Sequence, residues 1–212
     1  MECGCELVSE EIEVLRSVFE IVLKDGRFPT IGELQSALKK PTEEIIPVMD
    51  ELEKKDVLLR KKGTQEIVSI YPLSLTPTGH KIFLENGGQL FAMCAVDALG
   101  IPLMLNRDVK ILSQCEMCKR EITIEIKDEE IVSMSNPDLR ICSPKSQMYP
   151  AAETCCPWVN FFCSKKHADG WITQSAQARR KLRNNVKQIS VKRAFPKIKE
   201  CWKRYGETLG IR

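Results

Sequence analysis

Apolar residues in the first quarter of the chain recur at helical spacing. Residues 9–24 predict an amphipathic helix, and Ser9 stands where a capping side chain is expected. A second, shorter helix is predicted to begin near Thr30, and a third to open at Pro41 and Thr42. The apolar stripe of the first helix comprises Ile12, Leu15, Phe19 and Leu23. This part of the chain is therefore predicted to be helical.

A strand pattern follows these helices. Residues 57–72 are rich in β-branched and apolar side chains, and a turn at Lys62 and Gly63 divides them into two strands. Three helices and a hairpin are typical of a winged helix, so we predict a winged-helix-like N-terminal domain over residues 1–72. Winged helices often bind DNA, yet the third helix is acidic where a groove-reading helix should be basic. We therefore do not expect nucleic acid to be a partner.

Residues 73–212 are predicted to form a second domain, and they contain most of the cysteines. The segment 89–102 has helical spacing, on which Cys94 and Asp97 share one face. Their neighbours are apolar, so Asp97 should be partly desolvated, and desolvation raises the pKa of a carboxyl group. The alternative is that Asp97 caps or hydrogen-bonds within a buried turn.

Positive charge is concentrated at the C-terminal end of the chain. From Ser175 to Arg212 there are 12 Lys and Arg against 2 Asp and Glu, a net charge of +10, whereas the other 174 residues carry 20 against 27, or −7. Apolar residues at roughly helical spacing predict an amphipathic helical segment that packs one face on the body. They are Val186, Ile189, Val191, Phe195, Ile198, Trp202 and Leu209. Binding of nucleic acid or an acidic partner is the alternative.

The composition argues against a membrane protein and against a disulfide scaffold. The chain has 212 residues, of which 43% are apolar and 29% charged, as in an ordinary globular protein of one or two domains. No signal pattern is present at the N-terminus, and the longest apolar stretch, residues 90–105, is interrupted by Asp97. We expect a cytoplasmic protein. Ten cysteines in a reducing compartment favour metal binding or catalysis.

The chemistry of a soft metal is indicated by Cys94 and Asp97 together with the vicinal pair Cys155 and Cys156. Thiolate sulfur is the preferred ligand of soft metals, whereas a carboxylate is a hard oxygen donor. Asp97 is therefore better interpreted as a proton carrier than as a permanent ligand. Two thiols and one acid are what is needed to hold a soft metal ion and to protonate a carbon that leaves it.

The same motifs resemble those of the organomercurial (alkylmercury) lyase family. The resemblance is carried by LSLTPTGHKIFL, by the Cys-Ala-x-Asp core at 94–97 and by the Cys-Cys doublet followed by VNFF. It implies an α+β protein in which the N-terminal domain precedes a mixed α/β catalytic domain with an antiparallel sheet. It also implies that Cys94 and Cys155 are the catalytic thiols and Asp97 the catalytic acid, with Cys156 a neighbour of uncertain duty.

The resemblance implies a reaction as well. Two thiolates would bind the metal of an organomercurial or a related organometal, and Asp97 would deliver a proton to the departing carbon. The products are a hydrocarbon and a mercury ion bound by two thiolates, with no organic cofactor. Because two thiolates hold a soft ion tightly, a low-molecular-weight thiol or a thiol protein is the expected acceptor. This is the reaction expected of a mercury-resistance enzyme.

A second constellation has the spacing of a zinc site. Cys115 and Cys118 form a C-x2-C pair in a predicted turn between strands, and Cys163 and His167 form a C-x3-H pair at a predicted strand-to-helix junction. Together they supply four ligands for a structural zinc ion in an arrangement that resembles a treble clef. The alternative is that Cys115 is the buried structural cysteine of the resembled family and that the other three are incidental.

Two functional classes remain at this point. The favoured one is a carbon–metal lyase, and the other is a thiol-rich metal sensor or a winged-helix DNA-binding regulator. Asp97 distinguishes between the two classes, because a sensor needs thiolates but has no use for a buried proton donor. Cys3 and Cys5 are weak candidates for ferrying a metal ion, and His80 is interpreted as a structural residue.

Overall fold

A computed structural model describes residues 6–85, 87–145, 151–178 and 185–212, apart from the side chains of 152–153 and 175–178. The helices are α1 (Ser9–Asp25), α2 (Ile31–Leu38), α3 (Thr42–Lys54), α4 (Ala95–Leu105), α5 (Ala151–Thr154), α6 (Lys165–Ala178) and α7 (Val191–Leu209), with a 3-10 turn at Cys156–Trp158. The strands are β1 (Leu58–Arg60), β2 (Ile67–Ile70), β3 (Leu73–Ser74), β4 (Lys81–Leu84), β5 (Gln89–Ala92), β6 (Val109–Gln114), β7 (Glu121–Lys127), β8 (Glu130–Met134), β9 (Arg140–Pro144), β10 (Asn160–Phe162) and β11 (Val186–Ser190). Cys3 and Cys5 lie outside the described residues.

The three predicted N-terminal helices and the hairpin are present as α1 to α3, β1 and β2. Thr30 caps α2 and accepts a hydrogen bond from the Glu33 amide, while the Glu33 carboxylate accepts one from the Thr30 amide. Helix α1 ends at Gly26, whose φ of 68° is the left-handed conformation that glycine adopts without strain. The winged-helix interpretation of this layout stays a prediction.

The described residues form two antiparallel sheets, which confirms the predicted mixed α/β fold. The larger sheet has eight strands in the order β1-β2-β3-β5-β4-β6-β7-β8, and the smaller has the order β10-β9-β11. Ile70 of β2 pairs with Leu73 of β3, so the large sheet continues across the boundary predicted at residues 72 and 73. Strands β4, β6 and β7 alternate buried and exposed residues, as expected where one face covers a core.

Helix α4 lies at the centre of the fold and packs against α7. Ten of its eleven residues are buried, so this helix has no solvent-facing side. Gly100 is required by the close approach of α7, because a Cβ at this position would lie 2.2 Å from the Trp202 ring. Gly206 of α7 meets α4 in the same way, because a Cβ at this position would lie 2.2 Å from the Met104 carbonyl oxygen. Two glycines thus let the helices that support the site pack closely.

The C-terminal segment begins with a strand where a helix is predicted. Val186 and Ile189 were predicted to lie on a helix, but they belong to β11, which pairs in continuous register with β9 from Val186 opposite Pro144 to Ser190 opposite Arg140. Pairing with a buried strand here overrides an apolar spacing that also fits a helix. The rest of the segment is the amphipathic helix α7, with one face buried as predicted.

Ion pairs account for part of the positive charge of α7. The Lys203 ammonium and the Arg212 guanidinium both contact Glu129, and Lys199 contacts Glu130. Hydrogen bonds from Lys203 and Arg212 lower the pKa of Glu129 to about 2. Lys199 and Lys203 of the helix, and Arg212 after it, therefore have acidic partners within the same chain. No helix in the described residues is both long and apolar enough to cross a membrane.

Candidate functional site: a buried dithiol and carboxyl group

The first part of the site is the junction between β5 and α4. Residues 89–92 were predicted to be helical, but they form β5, because their backbone pairs with β3 and β4. The helix begins at Ala95, and Cys94 is its N-cap residue, with φ −153° and ψ 176°. The Cys94 sulfur accepts a hydrogen bond from the Asp97 amide at 3.5 Å. Capping by a thiol thus sets Cys94 and Asp97 side by side.

The second part of the site is the 3-10 turn that begins at Cys156. The carbonyl of Val159, at the end of this turn, accepts a hydrogen bond from the Ala95 amide at 3.0 Å, which joins the turn to the start of α4. The Cys156 sulfur lies 3.9 Å from an Asp97 carboxyl oxygen. The ligand atoms of Cys94, Asp97 and Cys156 all lie within 4.8 Å of one another, and all three residues are buried.

The cysteine doublet occupies the site through its second member. The family resemblance predicts Cys155 as the second thiol and Cys156 as its neighbour, whereas Cys156 is the residue that the structure brings to Cys94 and Asp97. Cys155 is half-buried and precedes the turn. Successive residues of a 3-10 turn point about 120° apart, so only one member of the doublet can face Asp97.

The electrostatics of this group follow from burial. Asp97 is 1% exposed, and desolvation raises the pKa of its carboxyl group to about 7, although hydrogen bonds from Cys94, Cys156 and Tyr71 oppose that rise. Desolvation, together with the neighbouring Cys156 and Asp97, also raises the pKa of the Cys94 thiol well above its ordinary value. A carboxyl group with a pKa near neutrality exchanges a proton readily, which is what a proton carrier requires.

Tyr71 is a member of the site that the sequence analysis missed. Its side chain hydrogen-bonds to Asp97, and burial followed by the charge of Asp97 raises the pKa of its hydroxyl. The Tyr71 ring stacks on Trp202 of α7 at a centroid distance of 5.0 Å. No local spacing links Tyr71 to Asp97, because the contact depends on how β2 and β3 pass beside α4.

A cavity of about 470 Å³ gives access to the group. Cys156 and Met93 border it, and its wall includes Leu59, Val68 and Ser69 from the N-terminal hairpin. The remaining lining residues are Ser74, Thr76, Thr78, Gly79, His80, Glu116, Pro157 and Asn160. The cavity is large enough for a small ligand and has a thiol at its edge.

His80 has a structural position, as the sequence analysis expected. It is buried, and its Nδ1 lies 2.9 Å from the Ser113 hydroxyl. Burial lowers the pKa of His80 to about 4, although a hydrogen bond with Asn160 opposes the shift. The ring is therefore neutral near physiological pH and meets Phe161 edge-on at 5.6 Å between ring centroids.

A second group forms where the sequence analysis expected zinc ligands. Cys115 and Cys118 lie in the turn between β6 and β7, and Cys163 and His167 lie at the junction of β10 and α6. Their ligand atoms are all within 4.8 Å of one another. Burial acts to raise the pKa of Cys115, but amide groups of Cys163 and Cys118 and the His167 ring outweigh it and lower that pKa below its ordinary value. The four residues are thus assembled for metal binding.

The first group defines a class of protein. Two thiols and one carboxyl group of near-neutral pKa, buried beside a cavity, are suited to thiolate chemistry on a soft metal with proton transfer. The class is a thiol-dependent enzyme that acts on a soft metal or an organometal.

Comparison with known proteins identifies the family within this class. The alkylmercury lyase family model matches residues 73–194. The alkylmercury lyase of Bacillus cereus is 30% identical over 189 residues, covering 88% of this chain and 80% of that protein, and that of Staphylococcus epidermidis is 30% identical over 159 residues, covering 74% and 70%. The solved structure "mercury-bound form of MerB2" shares the fold, with a TM-score of 0.77 at 24% identity over 95% of this chain and 93% of that one. The chain belongs to the alkylmercury lyase family.

Proposed function

We propose that this enzyme of the alkylmercury lyase family cleaves the carbon–mercury bond of an organomercurial with Cys94 and Cys156 as metal-binding thiols and Asp97 as proton carrier. The observation that carries the assignment is the buried contact of all three side chains, with Cys156 at 3.9 Å from the Asp97 carboxyl. The mercury-bound structure of the fold relative supports mercury as the metal.

The proposed steps conserve atoms and charge. An organomercury cation enters the cavity, and one thiol binds the mercury and releases its proton. The second thiol transfers its proton to the Asp97 carboxylate and joins the mercury, which weakens the bond to carbon by donation of electron density. The Asp97 carboxyl then gives this proton to the carbon. One organomercury cation and two thiols yield one hydrocarbon, one mercury ion held by two thiolates, and one proton.

Burial of Asp97 is what suits it to both proton transfers. An exposed aspartate, with a pKa near 4, takes up a thiol proton only weakly at neutral pH. With its pKa raised to about 7, the Asp97 carboxylate is a stronger base and can still act as an acid in the next step. Water exclusion around the group also favours delivery of the proton to carbon rather than to solvent.

The N-terminal part of the chain supports the site in this proposal. Leu59, Val68 and Ser69 of the hairpin line the cavity, and the Asp56 carboxylate accepts a hydrogen bond at 2.6 Å from the Ala151 amide, just before the doublet. We still interpret the N-terminal part as winged-helix-like, and we propose that its role is structural. The regulator alternative gains no support, because Arg60 of the hairpin is paired with the acidic residues Asp50 and Glu53 of α3.

No organic cofactor is part of the proposed reaction. Zinc, expected at the second group, takes no part in it either, because none of its four proposed ligands belongs to the dithiol group. A low-molecular-weight thiol or a thiol protein would remove the mercury ion. Cys94 and Cys156 are free thiols, as thiolate binding of mercury requires. We propose that the enzyme acts in the cytoplasm.

Hydrocarbon release tests this function directly. Purified protein with excess thiol is incubated with phenylmercury, and benzene is measured by gas chromatography. We expect benzene in amounts that exceed the enzyme through many turnovers, while thiol alone gives only background. Tight mercury binding without benzene release would contradict the lyase function and favour a sensor.

A further inference from the structure

We propose that Cys115, Cys118, Cys163 and His167 bind one structural zinc ion. This site is separate from the dithiol group, so its test can fail without affecting the proposed reaction. The four ligands come from two local elements: the β6–β7 turn supplies the first two, and the end of β10 with the first turn of α6 supplies the others. Three cysteines and one histidine form a closed ligand set that is characteristic of structural zinc.

The distances between ligand atoms fit a tetrahedral ion. With zinc bonds of about 2.3 Å to sulfur and about 2.0 Å to nitrogen, two sulfurs lie ~3.8 Å apart and a sulfur and a nitrogen ~3.5 Å apart. The Cys118 and Cys163 sulfurs are 3.8 Å apart, and the Cys115 sulfur lies 3.6 Å from His167 Nδ1. The contact from Cys163 to His167 Nδ1, at 3.0 Å, is shorter, so this ring must move back by about half an ångström to admit the ion.

A disulfide does not account for the arrangement. Cys115, Cys118 and Cys163 are free thiols, and the 3.8 Å between the sulfurs of Cys118 and Cys163 far exceeds the bond length of about 2.05 Å. Amide groups of Met117, Cys118 and Cys163 face the Cys115 sulfur. Such donors are the outer support that a metal-bound thiolate needs.

Three thiolates around one zinc ion give the proposed site a net charge of −1. Arg120 and Lys166 are cations near the ligands in the sequence, whereas Lys119 and Lys165 are ion-paired with Glu116 and Asp169. Among the described residues no carboxyl group belongs to this ligand set, and protein atoms would supply all four positions. The site is therefore structural rather than catalytic.

The location explains what the ion would stabilise. The amide of Glu116, within the turn, donates to the Phe161 carbonyl of β10 at 3.0 Å, so the turn and the strand already touch. Zinc bound to Cys163 would stabilise this contact between the turn and the strand. Cys163 lies a few residues after the 3-10 turn that contains Cys156. Glu116 and Asn160 also line the cavity. The ion would stabilise the position of these cavity-lining residues without contacting the substrate.

Metal analysis of the intact protein tests the proposal. Protein from cells grown without mercury and purified without chelator should contain about one zinc per chain. Cys118 is exposed, so Cys118→Ser alters little packing, yet it should reduce zinc to well below one per chain and lower the melting temperature by at least about 5 °C. Cys118→His, which keeps a ligand, should retain more zinc than Cys118→Ser.

The matched control is Cys142→Ser, a buried cysteine of β9 outside both groups. It should keep about one zinc per chain whatever its effect on packing. Wild-type protein that contains no zinc and does not take it up from solution would overturn the proposal. Iron in place of zinc, or equal zinc in wild type and Cys118→Ser, would overturn it as well.

Discussion

Cys94 and Cys156 share their site with a carboxyl group, whereas Cys115, Cys118 and Cys163 share theirs with an imidazole. The first group is buried throughout and borders a cavity, and the second extends to the exposed Cys118. In the proposed reaction, two thiols bind the mercury of the substrate and the third side chain carries a proton. Four side chains fill the coordination sphere of zinc. On our proposals, similar thiols serve a reaction in one place and the fold in the other.

Burial also has different effects on the pKa values of the two groups. Desolvation raises the pKa of Asp97 to about 7 and raises the pKa of the Cys94 thiol well above its ordinary value. In the second group, amide donors and the His167 ring outweigh burial and lower the pKa of Cys115. These differences agree with the proposed roles, proton transfer at the first group and permanent binding of a cation at the second.

The largest expected effect is that of Asp97→Asn on hydrocarbon release. Asparagine keeps the size of the side chain but cannot carry the proton, so benzene release from phenylmercury should fall by about 10²- to 10⁴-fold. Mercury binding should persist, because both thiols remain. Mercury retained after gel filtration, measured on the same samples, separates binding from cleavage. Release at the wild-type rate would rule out Asp97 as the proton carrier.

A second expected effect is on the pH dependence of stability. The pKa of Asp97 is raised from 3.8 unfolded to about 7 folded, so its contribution to stability is fully present below about pH 4 and is lost as pH rises through 7. Because asparagine does not titrate, the Asp97→Asn variant does not lose this stability as pH rises. Between about pH 4 and pH 8 its unfolding free energy should therefore gain up to roughly 4 kcal/mol relative to wild type. Urea denaturation at a series of pH values measures the difference.

Asp138→Asn provides the control for this series. A hydrogen bond from the Lys165 amide, followed by one from Arg140, lowers the pKa of the Asp138 carboxyl, so its contribution is present at neutral pH and lost on acidification. Its removal should therefore change the pH dependence in the opposite direction. Parallel stability curves for wild type and Asp97→Asn would show that Asp97 titrates normally.

The smallest expected effect is that of Cys94→Ser on the zinc group. This variant should lose turnover, yet retain about one zinc per chain, because the four zinc ligands are untouched. Its stability should change by no more than the roughly 1–3 kcal/mol expected for a buried polar substitution. Zinc content and melting temperature, measured beside those of Cys118→Ser, check the independence of the two groups. Loss of zinc from Cys94→Ser would mean that the groups are one system.

Local spacing was sufficient to predict the parts of each site that lie within one turn or junction. Cys115 with Cys118, and Cys163 with His167, are near in sequence, and the hairpin and strand-to-helix elements that carry them are present. Cys94 and Asp97 are likewise neighbours at the start of α4. The meeting of the two zinc-ligand pairs depends on the sheet, and the sequence alone supported it only by analogy.

Tertiary packing decided what the sequence could not predict. The orientation of the doublet, with Cys156 rather than Cys155 toward Asp97, depends on where the 3-10 turn begins. Tyr71 reaches Asp97 through the passage of the large sheet beside α4. Residues 89–92 and 186–190 are strands because neighbouring strands pair with them, although their apolar spacing also fits a helix.

The most direct measurement of the central claim compares the two members of the doublet in a single turnover. Cys155→Ser and Cys156→Ser are each mixed in excess with phenylmercury, and the benzene released is measured over time. We predict that Cys156→Ser releases benzene at least about a hundredfold more slowly than wild type, whereas Cys155→Ser stays within a few fold of it. Full activity in Cys156→Ser with loss in Cys155→Ser would contradict the assignment of Cys94, Asp97 and Cys156 as the reacting group.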